Sequence, residues 1–344
     1  MKRFIRSLAL LLAFLFLFSA CTAPSDEVVD TSGSDTKAPE GSEEDTGDQK
    51  ELEIYIERED KEVKNILMIG NSFCYYYVEE LCGIAKADGY ELNVANLYKS
   101  GAKISEHVNS LNNDTRIATL YVTDSKRRRE IAKLNTKETL EYAKSKLHGE
   151  WDVISLQGSG VFALLGDLDN TYKNTAPYAK ELFDYIKENY PNASLYWHQT
   201  WSYEIGYGAE KSEAYQMNDV QHRTNMYEIT KSVAHSIAEE NGVKIMPTGE
   251  AWEIARRNEL IGTTMCQRKA IKNGEGDYYH DGDIGGGQYL NACVWFEMLT
   301  GESCLENSFR PVYKLGDTDC SLTEEKITVL QNAAHRAVKA WLKT

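Results

Sequence analysis

Asn65-Ile66-Leu67-Met68-Ile69-Gly70-Asn71-Ser72-Phe73 is the stretch on which the reading of this chain turns. A short apolar run that stops at Gly-Asn-Ser reads as a strand leading into a close turn. The apolar spacing from Tyr75 to Lys86 then predicts a helix. Four more runs have the same character: 92–97, 152–156, 194–197 and 243–246. Helix-periodic stretches lie between and after them at 137–147, 178–189, 220–240, 287–299 and 323–342, the last opened by a capping-box pattern, Ser321-Leu322-Thr323-Glu324. Strands alternating with helices mean βαβ units, so the expected fold is an α/β sandwich on a parallel sheet.

The N-terminus reads differently. Lys2, Arg3 and Arg6 precede an apolar run, Leu8 to Phe18, too short to span a bilayer, and Ser19-Ala20-Cys21 follows. This is the pattern of an export signal over residues 1–20, and its end resembles a bacterial lipobox, which implies that Cys21 is lipidated; ordinary cleavage, with Cys21 an incidental thiol, is the other reading. Between Thr22 and Lys50 there are nine acidic residues and no aromatic one, a composition too polar to bury its way into a fold. Residues 21–58 are therefore expected to be an acidic tether and residues 59–344 the folded domain. An extracytoplasmic lipoprotein of a bacterial cell, held to a membrane by its lipid, is the localisation this predicts.

Composition narrows the function. The 344-residue chain has 38 Lys+Arg against 53 Asp+Glu, a formal net charge of −15. Nothing in that balance suits a nucleic-acid partner. No phosphate-binding Gly-x-x-x-x-Gly-Lys occurs, and the glycines at 282, 285, 286 and 287 do not follow a strand. A calcium loop begun at Asp281 fails because its twelfth position is Ala292. No cofactor or metal is implied. Lys126-Arg127-Arg128-Arg129 reads as a solvated helix face. Cys74, Cys82 and Cys293 fall in apolar patterns and read as core, while Cys304 and Cys320 are the candidates for a disulfide.

In an open α/β sheet the ligand sits beyond the carboxyl ends of the strands. The residues there are Gly70-Asn71-Ser72, then Ser100-Gly101, then Gln157-Gly158-Ser159, then His198-Gln199-Thr200-Trp201, with Asp277-Tyr278-Tyr279-His280 farther on. Ser72 at a strand-to-helix junction is placed as a nucleophile would be, among free N–H groups that favour a developing negative charge; equally, Asn71 or Ser72 could only cap the helix. Asp277 and His280, three apart, can put a carboxylate behind an imidazole that takes the serine proton. Trp201, Tyr203, Tyr207 and Tyr215 could form a stacking wall for a sugar or pack their loop down. His198 could line the cleft or be a structural, hydrogen-bonded histidine.

In this order the residues resemble the SGNH (GDSL-like) esterase superfamily, and more narrowly a bacterial SGNH-like group of unknown function, from about Lys64 to Gly301. Ile66 to Phe73, Trp151 to Gln157, and Gly287-Gln288-Tyr289-Leu290 running on to Leu299-Thr300-Gly301 carry the narrower likeness. It implies an α/β fold, a three-layer α/β/α sandwich with a mainly parallel, flavodoxin-like sheet, and ester hydrolysis with Ser72 as nucleophile, His280 as base and Asp277 orienting it. The implied oxyanion donors are the N–H groups of Ser72 and Gly101 and the side-chain amide of Gln157, with Asn71, Ser159, His198, Trp201 and Tyr203 as candidate substrate contacts. Two positions depart from the superfamily pattern: Asn71 stands where Asp is usual, and Leu156-Gln157-Gly158-Ser159 replaces Gly-x-Asn-Asp, so that Gln157 could instead bond loop backbone.

The function expected is removal of small acyl groups, acetyl foremost, from glycans or another small ester. A lipase or thioesterase of the same fold and a non-catalytic glycan-binding lipoprotein are the alternatives. For the anchor, Cys21→Ser is expected to move the protein from the membrane to the soluble fraction; soluble release of the unaltered chain contradicts lipidation.

Overall fold

The computed structural model describes residues 64–147, 149–203, 220–261, 286–315, 318–319 and 321–343. In chain order the elements are β1 (Lys64–Gly70), a 3-10 turn (Ser72–Cys74), α1 (Val78–Ala87), β2 (Leu92–Tyr98), α2 (Ile104–Asn112), β3 (Ala118–Thr123) and β4 (Arg128–Leu134). Then come α3 (Thr136–Tyr142), which continues as a π turn (Ala143–Leu147), β5 (Val153–Gln157), α4 (Val161–Leu164), α5 (Leu168–Lys173), α6 (Ala176–Asn189) and β6 (Ser194–His198). The described chain ends with α7 (Val220–Asn241), β7 (Lys244–Met246), α8 (Thr248–Arg256), α9 (Gly287–Thr300), a small β8 (Lys314–Leu315) and β9 (Thr318–Asp319) pair, and α10 (Glu324–Leu342).

The main sheet has the order β4-β3-β2-β1-β5-β6-β7. β2, β1, β5, β6 and β7 are parallel, and β3 and β4 add an antiparallel hairpin beyond β2. Central strands covered on both faces should be continuously apolar. β1 meets this from Ile66 to Ile69; all seven of its residues are buried, and Lys64 reaches out to give its Nζ hydrogen to the Leu299 carbonyl at 2.8 Å. One layer of helices holds α1, α9, α10 and α8; the other holds α2, α3, α6 and α7 with the short α4 and α5. α9 lies inside its layer, and Gly287 through Leu299 are all buried, which explains a helix apolar on every side. Among the described residues no helix is long and apolar enough to cross a membrane.

The α/β sandwich expected from the strand–helix alternation forms, in the three layers that the resemblance implied, with three local corrections. Lys126 to Arg129 is no helix face: it turns β3 into β4. Asp124 accepts the N–H groups of Lys126 and Arg127 at 2.8 and 3.0 Å and pairs with Arg129 at 3.0 Å. β4 is an edge strand with mostly exposed side chains, and its charges guard that edge. The α10 cap is Thr323, whose hydroxyl accepts from the Lys326 N–H, while Ser321 sits outside the helix and accepts from the Tyr313 N–H. Cys304 is a buried free thiol directed at the Gln331 carbonyl, 3.6 Å away, rather than half of a bridge; Cys320 lies outside the described residues. Cys74, Cys82 and Cys293 are buried as expected.

Candidate active site

The chain leaves β1 toward β2 on one side, whereas β5 connects to β6 on the other. The crevice between β1 and β5 is therefore the point at which connections diverge, where α/β folds hold their ligands. Ser72 follows β1 and Gly158-Ser159 follows β5, so both flank that crevice.

The turn that carries Ser72 is held by buried side chains. The Gly70 carbonyl accepts from His107 Nε2 at 3.0 Å. The Asn71 N–H donates to Gln157 Oε1 at 2.9 Å, and its Nδ2 donates to the Ala102 carbonyl at 3.0 Å. Asn71 Oδ1 caps the turn by accepting the Phe73 N–H at 3.0 Å. The Asn71 carbonyl takes the Cys74 N–H and thiol, and Asn96 Nδ2 donates to the Cys74 carbonyl. Ser72 is partly exposed, flanked by buried Asn71 and Phe73. Asn71 is thus the cap that the sequence left as one possibility, and the cap's effect is to fix the backbone on both sides of the serine.

Gly101 lies in the β2–α2 loop at φ +65°, a left-handed conformation that a side chain disfavours. Asn71 Nδ2 ties the next residue's carbonyl to the Ser72 turn, so the two loops whose N–H groups are the candidate oxyanion donors are fastened together.

Gln157 differs from expectation. It is 1 % exposed; its oxygen faces the Asn71 N–H and its nitrogen faces the Gly158 carbonyl. Reversing the amide would oppose donor to donor and acceptor to acceptor, so the orientation follows from chemistry. The side chain clamps two loop backbones, the alternative reading of this residue, rather than standing as an oxyanion donor. Gly70 makes this possible, because a Cβ there would lie 2.5 Å from Gln157 Oε1.

The remaining candidates fall on both sides of expectation. Ser159 Oγ accepts the Val161 N–H at 3.4 Å at the start of α4. His198 is 1 % exposed, and burial pushes its pKa down to about 3, so the ring is neutral. Thr248 gives its hydroxyl hydrogen to the Gln199 carbonyl at 2.6 Å and accepts from His198 Nε2 at 2.9 Å. His198 is thus a structural histidine and not a cleft base. Trp201 is fully buried, stacked on Trp252 at 4.6 Å and against Phe73 at 4.6 Å, while Tyr203 meets Phe73 edge-on at 5.7 Å. These two rings support the Ser72 turn from below instead of forming a wall. Asp277, His280, Tyr207, Tyr215 and Cys21 lie outside the described residues.

Three groups in and around the site carry almost no signal in the sequence. His107 is fully buried and neutral, its pKa lowered to about 4 by burial, and looked like any helix residue. Asn96 sits mid-strand, where only its burial gives it meaning. Arg256 is 1 % exposed and donates to Glu253 Oε1 at 2.7 Å, to Ser202 Oγ at 2.8 Å and to the Ser202 carbonyl at 2.7 Å, fixing the loop after β6. Only the Glu253–Arg256 spacing of three hinted at that pair. Among the described residues no group of three or more His, Cys, Asp or Glu side chains could hold a metal ion.

The family described as Domain of unknown function (DUF4886) matches residues 65–337, most of the chain. The chain belongs to the DUF4886 family. This membership agrees with the likeness to an SGNH-like group read from the motifs. A crystal structure of a DUF4886 family protein from Bacteroides uniformis is 26% identical, with 80% of this chain and 95% of that one covered at a TM-score of 0.64. Looser likenesses include a putative GDSL-like lipase from Parabacteroides merdae, 16% identical over 70% of this chain and 96% of that one, TM-score 0.39. An acetylxylan esterase from Geobacillus stearothermophilus is 15% identical over 70% and 95%, TM-score 0.38. No functionally curated protein matches the DUF4886 chain.

The clamp has a measurable signature. Gln157→Leu strands the Asn71 N–H and the Gly158 carbonyl in a dry interior, and each loss is expected to cost about 1–3 kcal/mol of stability. A urea midpoint unchanged by Gln157→Leu contradicts the clamp.

Proposed function

We propose that this DUF4886 protein is a serine esterase that removes small acyl groups, acetyl foremost, from glycans outside the cell, anchored by a lipid on Cys21 through the acidic tether. The observation that carries the reading is the turn at Gly70–Cys74: a partly exposed serine at the carboxyl end of the central strand, its flanking peptide groups fixed by buried side chains. A nucleophile gains from such fixing, since a preorganised site does not have to reorder as charge develops.

In this reading Ser72 Oγ attacks the ester carbonyl while His280 takes its proton, with Asp277 holding the ring in the tautomer that presents the basic nitrogen to the serine. The carbonyl oxygen becomes negative and is met by the N–H groups of Ser72 and Gly101, at the first turn after β1 and in the loop after β2. Collapse expels the sugar hydroxyl, which leaves with the proton from His280. Water, activated by the same histidine, then releases the acyl group as a carboxylic acid and restores Ser72.

Release of p-nitrophenol from p-nitrophenyl acetate tests the assignment. Ser72→Ala and His280→Ala are expected to abolish it, and Asp277→Asn to lower kcat by roughly 10²–10⁴ with the fold intact. Near-normal rates in all three variants contradict the triad.

A further inference from the structure

Half-exposed aromatic rings gather on the opposite side of the Ser72 turn from buried Trp201 and Tyr203. Tyr75 follows the serine by three residues, and its N–H donates to the Ser72 carbonyl at 3.2 Å. Its ring stacks on Tyr98 at 4.4 Å and 20° and meets Tyr121 edge-on at 5.0 Å. The Arg128 guanidinium lies 4.3 Å from the centre of the Tyr75 ring and donates to the Tyr75 carbonyl at 3.0 Å. The fold brings the three rings together by register. Tyr98 ends β2 opposite Gly70, and Tyr121 of β3 pairs with Asn96, two residues back on the same face. The β3–β4 hairpin, which extends the sheet beyond β2, contributes Tyr121, Arg128 and Glu130, the last accepting the Tyr121 hydroxyl at 3.1 Å.

Two features set the cluster apart from ordinary packing. Tyr75, Tyr98 and Tyr121 all keep exposed surface. Among the described residues the hydroxyls of Tyr75 and Tyr98 have no hydrogen-bond partner, whereas that of Tyr121 donates to Glu130. Tyr75 is gripped between Tyr98 and Arg128, which fixes the angle at which Tyr98 and Tyr121 present their outer surfaces. Rigid, partly exposed rings edged with hydroxyls suit a ligand with one apolar face and many hydroxyls of its own. A pyranose is such a ligand: its C–H face carries slightly positive hydrogens that meet the negative face of an aromatic ring. The same β2–α2 connection that begins at Tyr98 carries Gly101, so a sugar held there would lie beside the scissile ester.

We infer that Tyr98 and Tyr121, braced by Tyr75 and Arg128, form a sugar-stacking subsite that holds a pyranose of the acylated glycan next to Ser72. This rests on the esterase reading for the role of Ser72, while sugar binding itself does not require hydrolysis. Two measurements separate the claims. In the full-length Ser72→Ala chain, calorimetric titration with partially acetylated xylo-, chito- and pectin-derived oligosaccharides is expected to show binding of at least one of them. Adding Tyr98→Leu, which retains apolar bulk, or Tyr121→Ala is expected to weaken it about tenfold or more, the scale of one lost aromatic contact. In the otherwise unaltered enzyme, the same substitutions should lower the ratio of kcat/KM for that acetylated oligosaccharide to kcat/KM for p-nitrophenyl acetate, mainly through KM. Binding weakened by the tyrosine variants in a chain that hydrolyses no ester would uphold the subsite and sink the esterase. Hydrolysis with an unchanged substrate ratio, or no binding of any of the oligosaccharides, would overturn the subsite.

Discussion

One side-chain hydrogen bond, from the Asn71 N–H to Gln157 Oε1 at 2.9 Å, ties the turn after β1 to the end of β5, at the point where the connections of these paired strands diverge. It crosses the crevice between β1 and β5, where two strands run parallel and their loops part. Without a partner the Asn71 N–H would be buried and unsatisfied, at a cost larger than the net worth of the bond itself. Gln157 can reach it because residue 70 is glycine, and the other end of the same amide binds the Gly158 carbonyl. The placement of Ser72 therefore depends on a residue 85 positions away in sequence and on the lack of a side chain two positions before it.

From that bond the support spreads outward. Asn71 fastens the β2–α2 loop through the Ala102 carbonyl, His107 holds the Gly70 carbonyl, and Asn96 holds the carbonyl of Cys74. Beneath them Phe73 rests on Trp201, which rests on Trp252. Arg256 and Glu253 fix Ser202 in the same loop. His107 and His198 could have been read as bases, but burial holds both rings neutral through the physiological range, and each bonds as a fixed donor from Nε2. Their part is to hold backbone and core in place.

How much of this is legible in sequence differs by element. The five parallel strands are visible because a strand covered on both faces tends to be an apolar run, and 66–69 shows it most plainly. The β3–β4 hairpin is not visible in that way: β4 has one neighbour and mostly exposed side chains, so Arg128 to Leu134 carries no apolar run, and the Lys126–Arg129 charges suggested a helix face instead. The strand-end residues Ser72, Gly101 and Gln157 stand where the motif order put them. Their partners do not follow from the motif. Whether a glutamine donates to a ligand or clamps a loop depends on what faces it across the crevice, and whether an aromatic residue forms a wall or a floor depends on which side of the turn it packs. Trp201 and Tyr203 became floor, and Tyr98 and Tyr121, which no sequence pattern singled out, became surface.

As an esterase nucleophile, Ser72 has to be an activated serine in its fixed turn. The direct measurement is to treat the folded full-length protein with a fluorophosphonate, which phosphonylates only activated serines, and to locate the adduct by peptide mass spectrometry. A single adduct on the peptide carrying Ser72, absent after unfolding in urea before treatment, is the predicted result. An unmodified protein, or an adduct on any other serine, would contradict it.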